Sequence, residues 1–359
     1  MQNDSGQVDW PRALMAKRQL NRRQEWRIKK IQDERLSRAS GKQSRIVKNI
    51  KQLQDTLYHG IVVSHFGASL DVEEAESGII YRCGLRQNID SIVCGDKVIW
   101  QKIDNLPENE LIQGIITALQ ARSSVLARPD FNGQMKPVAA NVDQMLIVTS
   151  PVPELNEGLI DRYLVAAELS HIQAVLILNK IDTLSVEQRE LLEQRIKVYQ
   201  DIHYPVIFTS AKTQDGLEKL YSQLANKTSV FVGQSGVGKS SLINAFLPEA
   251  QIKEGEVSKK TNKGTHTTSI SRLYHLKLKK NIENSQLIDS PGVREFGLWD
   301  IQKEDVIHGF VELQQYAHNC RFRNCQHLNE PDCGLLNALE DNKIHPLRLD
   351  SYHRIVDSL

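Results

Sequence analysis

Nowhere in the sequence does an uninterrupted apolar run approach the ~18 to 20 residues a helix needs to cross a bilayer. The N-terminus also lacks the apolar stretch and small-residue cleavage site of a secretory signal. These two absences predict no membrane association and a cytoplasmic location. Cysteine is scarce: there are five, an odd number that cannot all pair, and three of them crowd beside His327, so reduced thiols and a metal are expected rather than disulfides. No internal repeat or low-complexity tract is present, which excludes solenoid and fibrous architectures.

What is present is a soluble-type composition long enough, at 359 residues, for two or three domains with separate cores. The net charge of +1 conceals an asymmetry. Residues 1–51 carry 14 Lys/Arg against 5 Asp/Glu, whereas the remainder carries 31 against 39. Residues 12–38 lack Gly and Pro and form a helix candidate, yet their apolar residues are too sparse for a core-facing stripe. Two readings stand together: a solvated, flexible extension, and a basic arm that orders on a polyanion by releasing counterions. From about Gly60 to Ile116, short Gly-punctuated alternating runs predict an antiparallel barrel of the OB type, used either to bind oligonucleotide or as a spacer. Cys83 and Cys94 read as inert core residues within its strands.

Beyond residue 140 the runs "MLIVTS", "AVLILN", "PVIFTS", "SVFVG" and "QLIDSPG" predict buried parallel strands, with helical patterns between several of them, hence a doubly wound sheet. The expected organisation is a multi-domain α/β chain: a basic extension over 1–50, the barrel over 51–120, the α/β domain over 121–298, and a metal-binding α-helical domain over 299–359.

The stretch "GQSGVGKSS" (Gly233, Gln234, Ser235, Gly236, Val237, Gly238, Lys239, Ser240, Ser241) satisfies G-x-x-x-x-G-K-[ST], entered by an apolar run and left by a helical one. Its glycines let backbone N–H groups turn onto phosphates, Lys239 can reach the β and γ oxygens, and the Ser240 hydroxyl suits Mg²⁺. "NKID" (Asn179, Lys180, Ile181, Asp182) supplies a base reader. The Asp182 carboxylate can accept from both N1–H and the 2-amino group of guanine, which adenine cannot offer. Asn179 would brace the base edge and neighbouring loops, and the Lys180 stem would lie over the ring. "SAK" (Ser210, Ala211, Lys212) can offer the Ala211 amide to guanine O6, and "DSPG" places Asp289 near the Mg²⁺ water shell with the Gly292 amide toward the γ-phosphate. Each motif ends a predicted strand. Ordinary GTPases place the phosphate loop before the base reader; the reversed order here describes a circularly permuted P-loop GTPase domain, with old termini joined and new ones opened.

"CRFRNCQHLNEPDC" contributes Cys320, Cys325, His327 and Cys333 in a C-x₄-C-x-H-x₅-C spacing that fits a closed, tetrahedral structural Zn²⁺ site. His318, Arg321 and Arg323 sit among these ligands and suit phosphate contacts.

With these motifs, "GTHTT" among them, the chain from about residue 45 onward resembles the bacterial family of small-ribosomal-subunit-dependent GTPases A. The resemblance implies slow GTP hydrolysis stimulated by the small subunit, with that subunit and its 16S rRNA as partners, and a part in late maturation that includes release of other assembly factors; nothing in the sequence demands more than a monomer. It also implies a switch histidine, His266, that positions the attacking water, with Thr267 and Thr268 near Mg²⁺ and the γ-phosphate. The Gln that follows D-x-x-G in many GTPases is Val293 here, as is usual in the family. Thr265 departs from the family, whose members often carry Arg there. Two other readings stand beside this one: an RNA-binding scaffold whose hydrolysis is incidental, and a GTPase acting on a non-ribosomal partner.

Overall fold

The computed structural model describes residues 56–66, 69–86, 89, 91–104, 111–130, 133–247, 271–276, 284–290 and 301–359. The basic extension lies outside these residues. No helix among the described residues is long and apolar enough to cross a membrane.

Five strands form the first element group: β1 (Tyr58–Phe66), β2 (Ser69–Glu74), β3 (Ile80–Leu85), β4 (Lys97–Lys102) and β5 (Gly114–Leu119). They pair β1–β2–β3–β5–β4, and β4 returns to β1, so the sheet closes into a barrel with no free edge inside it. All contacts are antiparallel except β3 with β5. β2 alternates half-buried and buried along its length, sending Leu70 and Val72 inward to meet Val62, Cys83, Val98, Ile116 and Trp100. Trp100 fills the centre, and Gly114 is required beside it, because a Cβ there would sit 2.6 Å from the indole. Cys83 lies in β3, but Cys94 corrects its expected placement: it occupies the turn before β4. Burial drives both thiols up to about 12, as inert core residues require.

A hairpin absent from the sequence reading follows, β6 (Val125–Pro129) with β7 (Met135–Ala140). The chain then enters a six-stranded sheet of β8 (Gln144–Thr149), β9 (Gln173–Leu178), β10 (Val206–Phe208), β11 (Thr228–Val232), β12 (Arg272–His275) and β13 (Gln286–Asp289). The order is β10–β9–β8–β11–β13–β12. The five strands read from apolar runs are mutually parallel, whereas β12 is antiparallel and meets β1 of the barrel at Ser64 and Arg272. Every residue of β8 is buried, as a central strand covered on both faces demands.

Helices α1 (Glu157–Leu169) and α2 (Val186–Asp201) cover one face; α3 (Leu217–Leu224) and α4 (Lys239–Phe246) cover the other. Met145 and Ile147 face the first pair, while Leu146 and Val148 face the second, the alternation that makes the sheet doubly wound. Local signals set the helix starts. Asn156 caps α1 through Leu159 N–H at 3.0 Å, and Ser185 with Gln188 closes a capping box on α2.

The C-terminal segment packs on the α1 face. A 3₁₀ turn (Lys303–Gly309) leads into α5 (Val311–Ala317), α6 (Gly334–Glu340) and α7 (Pro346–Asp357). Phe310, Leu313, Leu335 and Ile355 join the core that holds Leu164 and Val165 of α1. Gly309 lies so close to Val165 that a Cβ would meet its Cγ1 at 2.5 Å.

Candidate functional site

Parallel strands end on the same side of a sheet, so β8, β9, β10, β11 and β13 deliver their following residues to one edge. Asn179 follows β9, Ser210 closely follows β10, Gly233 follows β11, and Asp289 ends β13. The sheet therefore gathers four motifs that are up to 110 residues apart in the chain.

The loop of Gly233–Lys239 turns through three glycines with positive φ: 135° at Gly233, 83° at Gly236 and 95° at Gly238. Two of them are also held by space. A Cβ at Gly233 would collide with the Val148 carbonyl oxygen, and one at Gly238 with Asn179 Nδ2. Lys239 opens α4 and folds its ammonium back onto the loop, donating to Gly233 O at 2.6 Å and Gln234 O at 2.8 Å. Ser240 and Ser241 occupy the first turn of α4, both partly accessible. The arrangement holds a cation on two loop carbonyls at the start of a helix, chemistry that suits a polyphosphate.

Asn179 is 1% exposed. Its Nδ2 donates to Val237 O at 2.9 Å, and its Oδ1 accepts from Ala211 N–H at 3.2 Å. It thus ties the "NKID", "SAK" and phosphate loops together, as a brace between loops; the Ala211 amide expected to face a base is directed to Asn179 here. Lys180, at φ 64°, stretches across the edge and donates to Gly236 O at 2.5 Å and Val152 O at 2.7 Å. Ile181 is buried beneath it. Asp182 remains exposed, with Oδ1 accepting from Ser210 Oγ at 2.6 Å, while Lys212 is exposed beyond the turn. Asp289 is half-buried on the strand beside β11. The oxygen donors of Ser240 and Asp289 are of the hard type that Mg²⁺ prefers. His266, Thr267, Thr268 and Gly292 lie outside the described residues.

The four metal-ligand candidates converge in space. Their ligand atoms all fall within 4.8 Å of one another. Cys320 Sγ lies 3.9 Å from Cys333 Sγ and 3.4 Å from His327 Nδ1, and His327 Nδ1 lies 3.4 Å from Cys333 Sγ. A tetrahedron with Zn–S of about 2.3 Å and Zn–N of about 2.0 Å calls for separations of this size, so the donor set and its spacing are compatible with a structural zinc. Burial and the neighbouring thiols push Cys325 up to about 12, and burial lowers His327; a divalent cation would favour thiolate and neutral imidazole together. The Gly334 N–H donates to Cys320 Sγ at 3.3 Å, and Glu330 gathers the amides of Gln326, Leu328 and Asn329 between the ligands. Around this cluster His318, Arg321 and Arg323 are exposed, with Arg321 paired to Asp332 at 3.1 Å.

One polar constellation escaped the sequence reading. Arg348 of α7 is 1% exposed and bonds Asp161 of α1 and Glu312 of α5. The available signal was a charged residue inside the apolar face of a helix: Asp161 stands between Ile160 and Leu164 on the side of α1 that packs inward.

Comparison with known proteins places this geometry. The family model described as RsgA GTPase matches residues 119–299. A protein of Ectopseudomonas mendocina named small ribosomal subunit biogenesis GTPase RsgA is 48% identical over 349 residues, covering 96% of this chain and 98% of the relative. One of the same name from Alcanivorax borkumensis is 46% identical over 350 residues, covering 96% and 97%. The crystal structure of YjeQ from Thermotoga maritima matches with a TM-score of 0.67 at 30% identity, covering 85% of this chain and 99% of that one. The fold is also that of YloQ, described as a circularly permuted GTPase, with a TM-score of 0.64 at 24% identity over 85% of this chain and 95% of that one. With "GQSGVGKSS" following "NKID" on one sheet edge, and a Cys₃His cluster in the C-terminal segment, the chain belongs to the RsgA family of GTPases.

Proposed function

We propose that this GTPase binds GTP with Mg²⁺ at the edge formed by residues 179–182, 210–212, 233–241 and 289, and acts in the cytoplasm in late maturation of the small ribosomal subunit. The observation that carries the reading is the Asn179 brace, which holds the "NKID", "SAK" and phosphate loops in one cluster by direct hydrogen bonds. In this reading Lys239 trades two loop carbonyls for the β and γ phosphate oxygens. Asp182, exposed and already ordered by Ser210, accepts from the guanine edge. Ser240 and Asp289 would hold Mg²⁺, which neutralises charge shared between the two phosphates. His266 positions the attacking water, Thr267 and Thr268 close over the γ-phosphate, and the Gly292 amide meets it.

Hydrolysis is slow alone and faster on the subunit, where 16S rRNA is gripped by the barrel, the basic extension and the exposed His318, Arg321 and Arg323. Its completion drives release of assembly factors, and the protein works as a monomer. The names borne by the relatives support the subunit as partner. Turnover of GTP titrated with purified small subunits at two salt concentrations tests catalysis and docking together: stimulation that weakens with salt is expected. An RNA scaffold with incidental hydrolysis predicts no stimulation and unchanged function for His266→Ala. Asp182→Asn is expected to weaken GTP binding far more than ATP binding; equal losses would overturn the base-pocket assignment.

A further inference from the structure

The phosphate loop and the C-terminal helix share a wall. Gln234 of the loop, Pro153 and Leu155 of the segment before α1, Asp161 of α1, and Arg348 and Ile355 of α7 line one cavity of about 820 Å³. Polar contacts hold each end of its wall, and the 150–156 segment with the start of α1 connects them. Lys180 bridges Gly236 O and Val152 O; Ser150 Oγ donates to the same Val152 carbonyl at 2.8 Å. Asn156 then starts α1, and on the next turn Asp161 grips Arg348. Beside Asp161, α1 is tied to the chain's last residues again, by Arg162 Nη2 donating to Ser358 Oγ at 2.6 Å.

We propose that Arg348 is a positioning residue for the nucleotide site: by fixing Asp161 it sets the seat of α1, and through α1 and the 150–156 segment it sets the phosphate loop. The proposal rests on the nucleotide reading given above. Arg348 is suited to this task because the joint is both buried and incompletely satisfied. Its Nε donates to Glu312 Oε1 at 2.5 Å and its Nη1 to Asp161, and its guanidinium lies 4.5 Å from the Phe310 ring centre, yet Nη2 and Glu312 Oε2 have no partner. Removing one member of such a group leaves an uncompensated charge, so separating α1 from α7 is strongly disfavoured. A ligand that holds the loop in one position therefore favours one seating of α7, and by linkage the seating of α7 alters the affinity for that ligand by the same factor.

Hydrogen exchange of the full chain with zinc bound, with and without GDP, is the first arm. Slower exchange across 346–357 in the presence of GDP is expected; identical exchange there, with GDP demonstrably bound, overturns the proposal. The second arm compares GDP affinity for the native chain, Arg348→Met and the conservative Arg348→Lys, each checked for zinc content and thermal unfolding. About tenfold weaker GDP binding is expected for Arg348→Met, mostly in the dissociation rate, and a smaller loss for Arg348→Lys, which keeps the charge but not the two-armed fork. Unchanged affinity in folded variants overturns it. Failure of Arg348→Met to fold leaves the exchange arm on the native chain to decide. Absence of GDP binding by the native chain would instead strike the nucleotide reading itself, and this inference with it.

Discussion

The two faces of the central sheet are built on different principles. Over α3 and α4 the cover is apolar throughout: Leu217, Leu220, Leu224, Leu242, Ile243 and Phe246 meet Leu146, Val148, Val175 and Ile177. Over α1 and α2 the apolar core is larger, but it continues into the C-terminal helices and encloses three charges, Asp161, Glu312 and Arg348. The first face can be completed by local chain alone. The second is finished by the C-terminal segment, which also carries the four ligand side chains brought within 4.8 Å of one another. The contrast teaches that, among the described residues, the core under α4 takes no residue from the C-terminal segment, so that segment reaches the phosphate loop only by way of α1, on which it packs directly.

Zinc removal is the sharpest way to break that contrast. Structural zinc contributes about 10 to 16 kcal/mol of apparent binding free energy in small modules, and the loop of 318–333 has little apolar material to replace it. Chelation, or Cys320→Ser, is expected to melt α5–α7 and raise exchange in α1, while amides of α4 stay protected. Exchange mass spectrometry reads both faces in one experiment. Loss of protection in α4 to the same degree would show that the faces are not independent.

Next in size comes a matched pair of substitutions. Arg348→Met leaves Asp161 and Glu312 buried without their cation and is expected to cost about 3 to 5 kcal/mol. Leu242→Ala, on the opposite face, removes only packing and is expected to cost about 2 to 5 kcal/mol. Similar totals conceal different causes, and a further change separates them. Replacing Asp161 and Glu312 by Leu in the Arg348→Met background should restore most of the lost stability, because an apolar trio of similar volume replaces a desolvated ionic one. No compensating substitution of charge exists for Leu242→Ala. Denaturant unfolding of the four proteins checks the comparison, and an apolar trio as unstable as Arg348→Met alone would show that the charges contribute net stability.

The same contrast explains what could be read from the sequence. The phosphate loop, "NKID", "SAK" and the Cys/His cluster were legible because each chemistry demands certain residue types at fixed short spacing: glycine where φ is positive at 233, 236 and 238, or soft ligands within one turn of chain. The parallel strands were legible because burial on both faces leaves a continuous apolar run. Arg348 was not, since Asp161 lies 187 residues away and Glu312 lies 36 away, and nothing local distinguishes a buried arginine from a solvated one. Strand β12 was missed for a related reason. As an antiparallel strand between β13 and the barrel, with Arg272 and His275 exposed, it lacks the apolar run of its neighbours. The hairpin of β6 and β7 carries Pro129, Lys136 and Pro137, which weaken a strand signal, and its register shifts between Leu126 and Ala127.

The smallest expected effect sharpens the zinc side of the comparison. Glu330 holds the loop amides of Gln326, Leu328 and Asn329, and the Gln326 N–H at 2.7 Å is the main reason its carboxyl is lowered to about 2. A carboxyl depressed in the folded chain contributes stability that is fully present above its ordinary value of 4.5 and is lost only as the pH falls toward 2. Glu330→Gln retains one acceptor oxygen and removes the charge, so it should speed zinc release to a chelator by a small factor. Between pH 6 and pH 8 the ratio of variant to native release rates should stay constant, even though both rates change as thiols and imidazole gain protons at the lower pH. A ratio that collapses toward one at pH 6 would place the Glu330 titration well above its assigned range and remove the amide cluster as the source of the loop's order.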